Sequence, residues 1–246
     1  MNRFFVAPSL LAADPIRLDG DLARQMARVL RLRPGDRVVL LDGSGRELVA
    51  ELRRVAAREV LAAPLDRRWG SREPACALTL YQGVIRPARF EWLLEKGTEL
   101  GVAAFVPLLT ARSVVRPEAD GARVERWRRI VREAAEQCGR AALPEVRPPV
   151  SLADAVREAP GLRLVCWEAG EGPSLRDALR AELTAGRPAA VSLFVGPEGG
   201  LTEEEVAAAC AAGARAVSLG GRVLRSETAG LTAAVAVLYE LGELGG

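Results

Sequence analysis

Histidine is absent from this 246-residue chain, and lysine occurs once, at Lys96. Without imidazole there is no Ser-His-Asp triad and no histidine-bearing zinc site. Any general base must then be a carboxylate, lysine, cysteine or tyrosine, or an arginine in an unusual setting. The cysteines Cys76, Cys138, Cys166 and Cys210 stand far apart and form no CxxC pair. That spacing argues against both disulfides and zinc, and it fits a reduced cytoplasmic setting; no metal is expected. No apolar run approaches the length of a membrane span. The opening MNRFFVAPSLLAADP is broken by Pro8 and Asp14 and makes a poor signal peptide. A soluble, cytoplasmic protein is the expectation.

What is present is more informative. Hydrophobic residues make up 49% of the chain, enough for a substantial core in one large domain or two unequal ones. Formal net charge is only +2, but every basic residue other than Lys96 is arginine. Guanidinium forks suit bidentate phosphate contact and stacking on bases, which points to a phosphate-rich partner. A GC-rich genome, or the ion-pair networks of a thermophile, would favour the same residues.

Patterning divides the chain at about residue 70. Val38 to Asp42, Glu47 to Val55 and Val60 to Leu65 read as strands, with Asp42-Gly43-Ser44-Gly45 as a hairpin turn. One helix, Asp21 to Leu32, precedes them and stops at Arg33-Pro34-Gly35-Asp36. A small β-barrel with one helix over residues 1–70 follows, and charged Asp66 to Pro74 reads as a linker. Residues 71–246 change rhythm. Strands are expected at Ala77 to Val84, Ala103 to Leu109, Leu162 to Trp167, Val191 to Val195 and Ala214 to Leu219. Between them, helices are expected from Pro87 to Leu100, from Val124 to Ala142, from Thr202 to Gly213 and from Ala229 to Leu241. The first keeps Phe90, Leu93, Leu94 and Gly97 on one face, and Thr202 with Glu205 forms a capping box. Alternation of strands and helices predicts an α/β domain with a mainly parallel sheet.

Three strand-to-helix corners concentrate the chemistry. Leu193-Phe-Val-Gly196-Pro197-Glu198-Gly199-Gly200-Leu201-Thr202 is a buried strand, a glycine-rich turn and a helix start. It is compatible with an ordinary turn, and it matches neither GxGxxG nor a phosphate loop with its lysine. Ser218-Leu219-Gly220-Gly221-Arg222-Val223-Leu224-Arg225-Ser226-Glu227-Thr228-Ala229 also runs from strand to helix. Ser226 or Thr228 could cap that helix, and Glu227 could complement its dipole. The third corner is Trp167-Glu168-Ala169-Gly170. Ligands of open α/β sheets sit beyond the carboxyl ends of strands, so these corners would together make a pocket rich in backbone donors and acceptors.

VGPEGGLTEEE followed by SLGGRVLRSETAG closely resembles the ribosomal RNA small subunit methyltransferase E family of the SPOUT class. RVLRLRPGD (Arg28 to Asp36), EKGTELGV (Glu95 to Val102) and EQCGR (Glu136 to Arg140) resemble the same family, so the likeness spans nearly the whole chain in order. It implies a PUA-like RNA-binding barrel and an α/β domain with helices on both sheet faces and a deep trefoil knot, a topology that sequence reasoning would exclude. It further implies a homodimer that uses S-adenosylmethionine to methylate N3 of a uridine, U1498, in 16S rRNA of the small subunit, with the 30S subunit or its RNA as partner and no membrane.

Carried over residue by residue, the resemblance assigns cofactor binding to Trp167 and Glu168, to Gly196, Pro197, Glu198, Gly199 and Gly200, and to Leu219, Gly220, Val223, Leu224, Thr228 and Ala229. Ser226 stands where many relatives carry threonine, and Gln25 is one of several positions where they often carry histidine. Methyl transfer to uridine N3 requires loss of its proton. Glu198 and Glu227 are candidates to accept it, and Arg225 or Lys96 to stabilise the resulting anion. RNA contacts are expected from Arg28, Arg31, Arg112, Arg126, Arg129, Arg132 and Arg140; helical spacing brings Arg126, Arg129 and Arg132 near one another, as it would on a simply solvated face. Two rivals remain: a ribose 2′-O-methyltransferase of the same class, and a non-catalytic RNA-binding assembly factor. A dehydrogenase lacks its phosphate fingerprint.

Overall fold

The computed structural model describes residues 1–70, 73–113, 121–169 and 172–245, so Gly170 of the third corner lies outside the described residues. The chain forms two compact units, residues 1–73 with 135–143, and residues 74–134 with 144–246.

The first unit holds β1 (Asn2–Phe5), β2 (Ile16–Asp19), α1 (Gly20–Arg24), β3 (Arg37–Leu41), β4 (Arg46–Val55) and β5 (Glu59–Trp69). Its sheet runs β1-β3-β4-β5-β2, with β1 parallel to β3 and the other pairs antiparallel. Two register shifts between β4 and β5 add twist and let the sheet curl around one core. Ile16, Leu18, Met26, Leu40, Leu48, Leu52 and Val60 fill that core. Two expectations need correction. The helix from Asp21 is shorter: α1 passes into a widened π-type turn, Gln25–Val29, and Arg31 adopts a left-handed φ of 53°, which closes it. Asp66 to Trp69 is strand rather than linker, because its charges lie on an exposed stretch of β5 paired with β4, where Arg68 meets Glu47.

The second unit contains β6 (Ala77–Gly83), α2 (Pro87–Leu100), β7 (Ala104–Leu109), α3 (Gly121–Cys138), β8 (Glu145–Val146), β9 (Val150–Ser151), α4 (Leu152–Glu158), β10 (Leu162–Cys166), α5 (Leu175–Ala185), β11 (Ala190–Val195), α6 (Glu203–Ala211), β12 (Arg215–Val217) and α7 (Ser226–Glu240). The last residues of α3 group with the first unit. The sheet order is β12-β10-β11-β6-β7-β8, with β9 also on β7, and every pairing is parallel. Strand periodicity decides which helix covers which face. Tyr81, Val106, Val165 and Phe194 point to α4 and α6, with Tyr81 and Phe194 stacked at 4.4 Å. Leu80 and Gln82 point the other way, towards Leu93 of α2 and Gly230 of α7. The α/β reading therefore holds, with helices flanking a parallel sheet. The helices α4 and α5 escaped the sequence reading because each is a short segment between strands, started by a serine cap at Ser151 and Ser174. Among the described residues no helix is long and apolar enough to cross a membrane.

Candidate functional site

Parallel register sets β12, β10, β11 and β6 side by side, so Val217, Cys166, Val195 and Gly83 end at one edge of the sheet. The loops beyond these ends enclose a pocket of about 310 Å³.

Glycine is required at two of the positions that build it. A Cβ on Gly83 would lie 2.3 Å from the Pro197 backbone nitrogen, so the end of β6 packs backbone-on-backbone against the loop after β11. Gly200 takes a φ of 70°, and its N–H donates to the Pro197 carbonyl at 2.9 Å, closing the turn. Thr202 then caps α6 in the expected box with Glu205. The other Glu205 oxygen accepts the Ala111 N–H at 2.7 Å, and Arg112 donates to the Gly199 carbonyl at 3.0 Å. The loop after β7 is thereby latched to the glycine turn.

At the start of α7 the capping expectation needs correction. Arg225, not Ser226, is the N-cap, and it caps through its backbone carbonyl, which accepts the Ala229 N–H at 2.8 Å. Ser226 is the first helical residue and is buried. Its hydroxyl donates to the Gly196 carbonyl and accepts from Gln82 Nε2 at 2.7 Å, joining β6, the glycine turn and α7. Glu227 is buried beside it, with Oε1 3.5 Å from Arg89 Nε and Oε2 without a hydrogen-bond partner among the described residues. Cys166 lies on the pocket wall, where burial pushes its thiol up to about 12, so at neutral pH it is neither nucleophile nor base.

The pocket brings together most of the residues expected from the corners. Trp167 and Glu168 line it from the loop after β10, and Gly196, Pro197, Glu198 and Gly200 from the turn after β11. Leu219, Gly220, Val223, Leu224, Arg225 and Ala229 line it from the loop after β12 and from α7. Glu198 accepts the Arg86 N–H at 3.1 Å, just ahead of α2. Gly199 is instead held by Arg112, and Thr228 is exposed on the first turn of α7. Lys96 is not among the lining residues; its ammonium bonds Glu95 at 2.7 Å and Glu99 at 2.8 Å on its own helix.

The arginines expected at RNA have different surroundings. Arg28, Arg31 and Arg129 are exposed, as is Arg132. Arg126 makes a bidentate pair with Glu91, at 2.6 and 2.8 Å. Arg140 needs correction: it is 6% exposed, and two of its nitrogens bond one oxygen of Glu73 at 3.0 and 2.7 Å. The other Glu73 oxygen accepts the N–H groups of Ala141 and Ala142. Arg140 therefore stitches residues of the first unit together. Sequence reasoning missed Gln82, Arg89, Leu201 and Cys166 at the site. Gln82, a polar residue closing an apolar strand, was the one available signal.

A family model for an RNA methyltransferase domain matches residues 72–238, and one for an RNA methyltransferase PUA domain matches residues 18–65. The chain is similar to the ribosomal RNA small subunit methyltransferase E of Synechocystis, with 36% identity covering 92% of this chain and 74% of that protein. It is similar to the Bacillus subtilis protein of the same name at 31% identity, covering 98% and 97%. The Neisseria gonorrhoeae protein of that name, solved bound to S-adenosylmethionine, superposes with a TM-score of 0.87 at 33% identity over 98% of each chain.

Proposed function

The chain belongs to the ribosomal RNA small subunit methyltransferase E family, and from that premise we propose that it methylates N3 of a uridine, U1498, in 16S rRNA. It is an S-adenosylmethionine-dependent rRNA methyltransferase. The observation that carries the reading is the convergence of three sequence-distant loops on one pocket at the strand ends. The pocket suits the cofactor: a Cβ on Gly220 or Gly221 would meet nothing within 4 Å, so the loop offers bare backbone to open space. Trp167, Leu201 and Leu219 supply apolar wall, and the Gly196–Gly200 turn supplies backbone polar groups. When bound, S-adenosylmethionine supplies a methyl group on an electrophilic sulfonium.

The chain itself must orient the uridine and manage one proton. N3 lies on the Watson–Crick edge, so the base enters unpaired or flipped. Arg225, at the pocket mouth, stabilises the anion that forms as N3 loses its proton. A carboxylate accepts that proton. Of the two candidates, Glu198 lines the pocket and also accepts the Arg86 N–H, whereas Glu227 is buried outside the pocket lining, so Glu198 is the better placed. Lys96 lies outside the pocket lining and is paired with Glu95 and Glu99, which argues against a part in the reaction.

Membership of the family supports a trefoil knot in the second unit, within its parallel sheet flanked by helices. The same reading makes the working form a cytoplasmic homodimer acting on the 30S subunit. The test is to incubate the protein with labelled S-adenosylmethionine and unmodified small subunits, then digest the RNA to nucleosides. Label in 3-methyluridine is expected; label in a 2′-O-methylated nucleoside would overturn the target atom while keeping the fold.

A further inference from the structure

In the first unit, the end of β5 carries Arg67-Arg68-Trp69, and Trp69 pairs directly with Arg46 at the start of β4. Trp69 is 66% exposed, whereas tryptophan in a folded domain is highly buried on average. The indole rests against Gly45, whose Cβ would lie 3.5 Å from the ring, and the Arg46 guanidinium carbon lies 5.3 Å from the ring centroid. Beside the ring opens a cleft of about 330 Å³ with Pro8 and Leu11 on its apolar side and Arg46, Arg67 and Arg68 on its charged side.

Glu47 also lines the cleft, so its wall carries three arginines against one carboxylate. Glu47 is buried and shared between Arg3 and Arg68. Asp42, in the preceding turn, is occupied by the N–H and hydroxyl of Ser44. Among the described residues Arg67 bonds only the Leu11 carbonyl, at 3.2 Å. A solvated strand end accounts for the arginines but not for an indole left open among them. An exposed aromatic face next to guanidinium groups that outnumber the carboxylate beside them is the chemistry that holds unpaired nucleotides, by stacking on the ring and pairing with phosphate.

We propose that this cleft binds one unpaired nucleotide of the RNA substrate, its base against Trp69 and Arg46 and its phosphate against Arg67 and Arg68. The inference rests on the RNA-methyltransferase reading, and it goes beyond the matched PUA segment, which ends at residue 65. Its consequence is that the first unit grips single-stranded RNA, so that strand separation near the target is favoured by binding.

The test measures anisotropy of an end-labelled single-stranded RNA of about 12 nucleotides, and of a duplex of the same sequence, on the full-length protein. Trp69→Ala should weaken single-strand binding roughly 5- to 150-fold, with Trp69→Phe retaining most of the affinity and the duplex little affected. Arg67→Gln should lower the slope of log affinity against log salt by about 0.7. The salt slope of Trp69→Ala should stay unchanged, and so should S-adenosylmethionine affinity, a control that the fold survives. Single-strand binding by Trp69→Ala within twofold of wild type would overturn the inference alone, as would an equal loss on duplex. Absence of single-strand binding by the wild-type chain would likewise overturn the inference, whereas absence of methyl transfer to unmodified small subunits would overturn the reading beneath it.

Discussion

Replacing Ser226 with alanine deletes a hydroxyl that serves β6, the glycine turn and α7 at once. The Gly196 carbonyl loses its closer donor and keeps Gln82 Nε2 at 3.4 Å, while Gln82 Nε2 loses its 2.7 Å acceptor and keeps only contacts of 3.4 Å to the Gly83 and Gly196 carbonyls. Gln82 is 1% exposed, and its Oε1 already lacks a partner, so water cannot readily compensate. Each buried polar group left unsatisfied costs about 1–3 kcal/mol. With both groups left weakly held, the expected loss is about 1–3 kcal/mol. Part of it should appear as weaker S-adenosylmethionine binding, because Gly196 opens the turn that lines the pocket. Ser226→Thr keeps the hydroxyl and should retain most of the stability. Urea unfolding compared at a common slope gives the stability change, and calorimetric titration gives the affinity. A Ser226→Ala protein within about 0.5 kcal/mol of wild type would refute the reasoning, since that is the ordinary range for uninvolved surface positions.

Three further outcomes are expected. Gly83→Ala places a Cβ 2.3 Å from a backbone nitrogen that cannot move aside, so it should lose the folded protein or its cofactor binding, while Gly121→Ala, which meets nothing, should be tolerated; thermal melts of the two compare them. Arg225→Ala should lower turnover by roughly 100-fold or more with cofactor affinity nearly unchanged, and equal turnover would remove Arg225 from the reaction. Burial pushes the Glu47 carboxyl up, but hydrogen bonds from Arg3 and Arg68 outweigh it and hold the group below the usual carboxylate range. A carboxyl held low in the folded state stabilises above its unfolded value, and that contribution is lost as pH falls through the lowered one. Glu47→Gln should therefore flatten the acid limb of the urea midpoint against pH; an unchanged limb would show that the Glu47 pairs contribute nothing.

How much of this was legible in the sequence depends on the range over which each feature is determined. The glycine turn, the capping box at Thr202 and the strand before them are set by consecutive residues, and each is where the sequence places it. The π-type turn after α1 is equally local but was missed, because nothing in Gln25–Val29 breaks helical spacing. Asp66 to Trp69 was misread for a different reason: charge on a strand face looks like a linker until the partner strand is known.

Side-chain partnerships obey another rule. Gln82 meets Ser226 across 144 positions, Arg140 meets Glu73 across 67 and Arg126 meets Glu91 across 35. No spacing within the chain encodes these pairs; only the folding of each unit brings them together. This is why arginines of one type in one chain divide so differently. Arg140 is consumed inside its unit, Arg126 is held at the surface by a fork to Glu91, and Arg225 faces the pocket. Composition predicted an arginine-rich protein that meets phosphate, but which arginines are available is a property of the carboxylates the fold delivers to them. Backbone-determined pockets are therefore readable from motifs, and the charged surface around them is readable only from the fold.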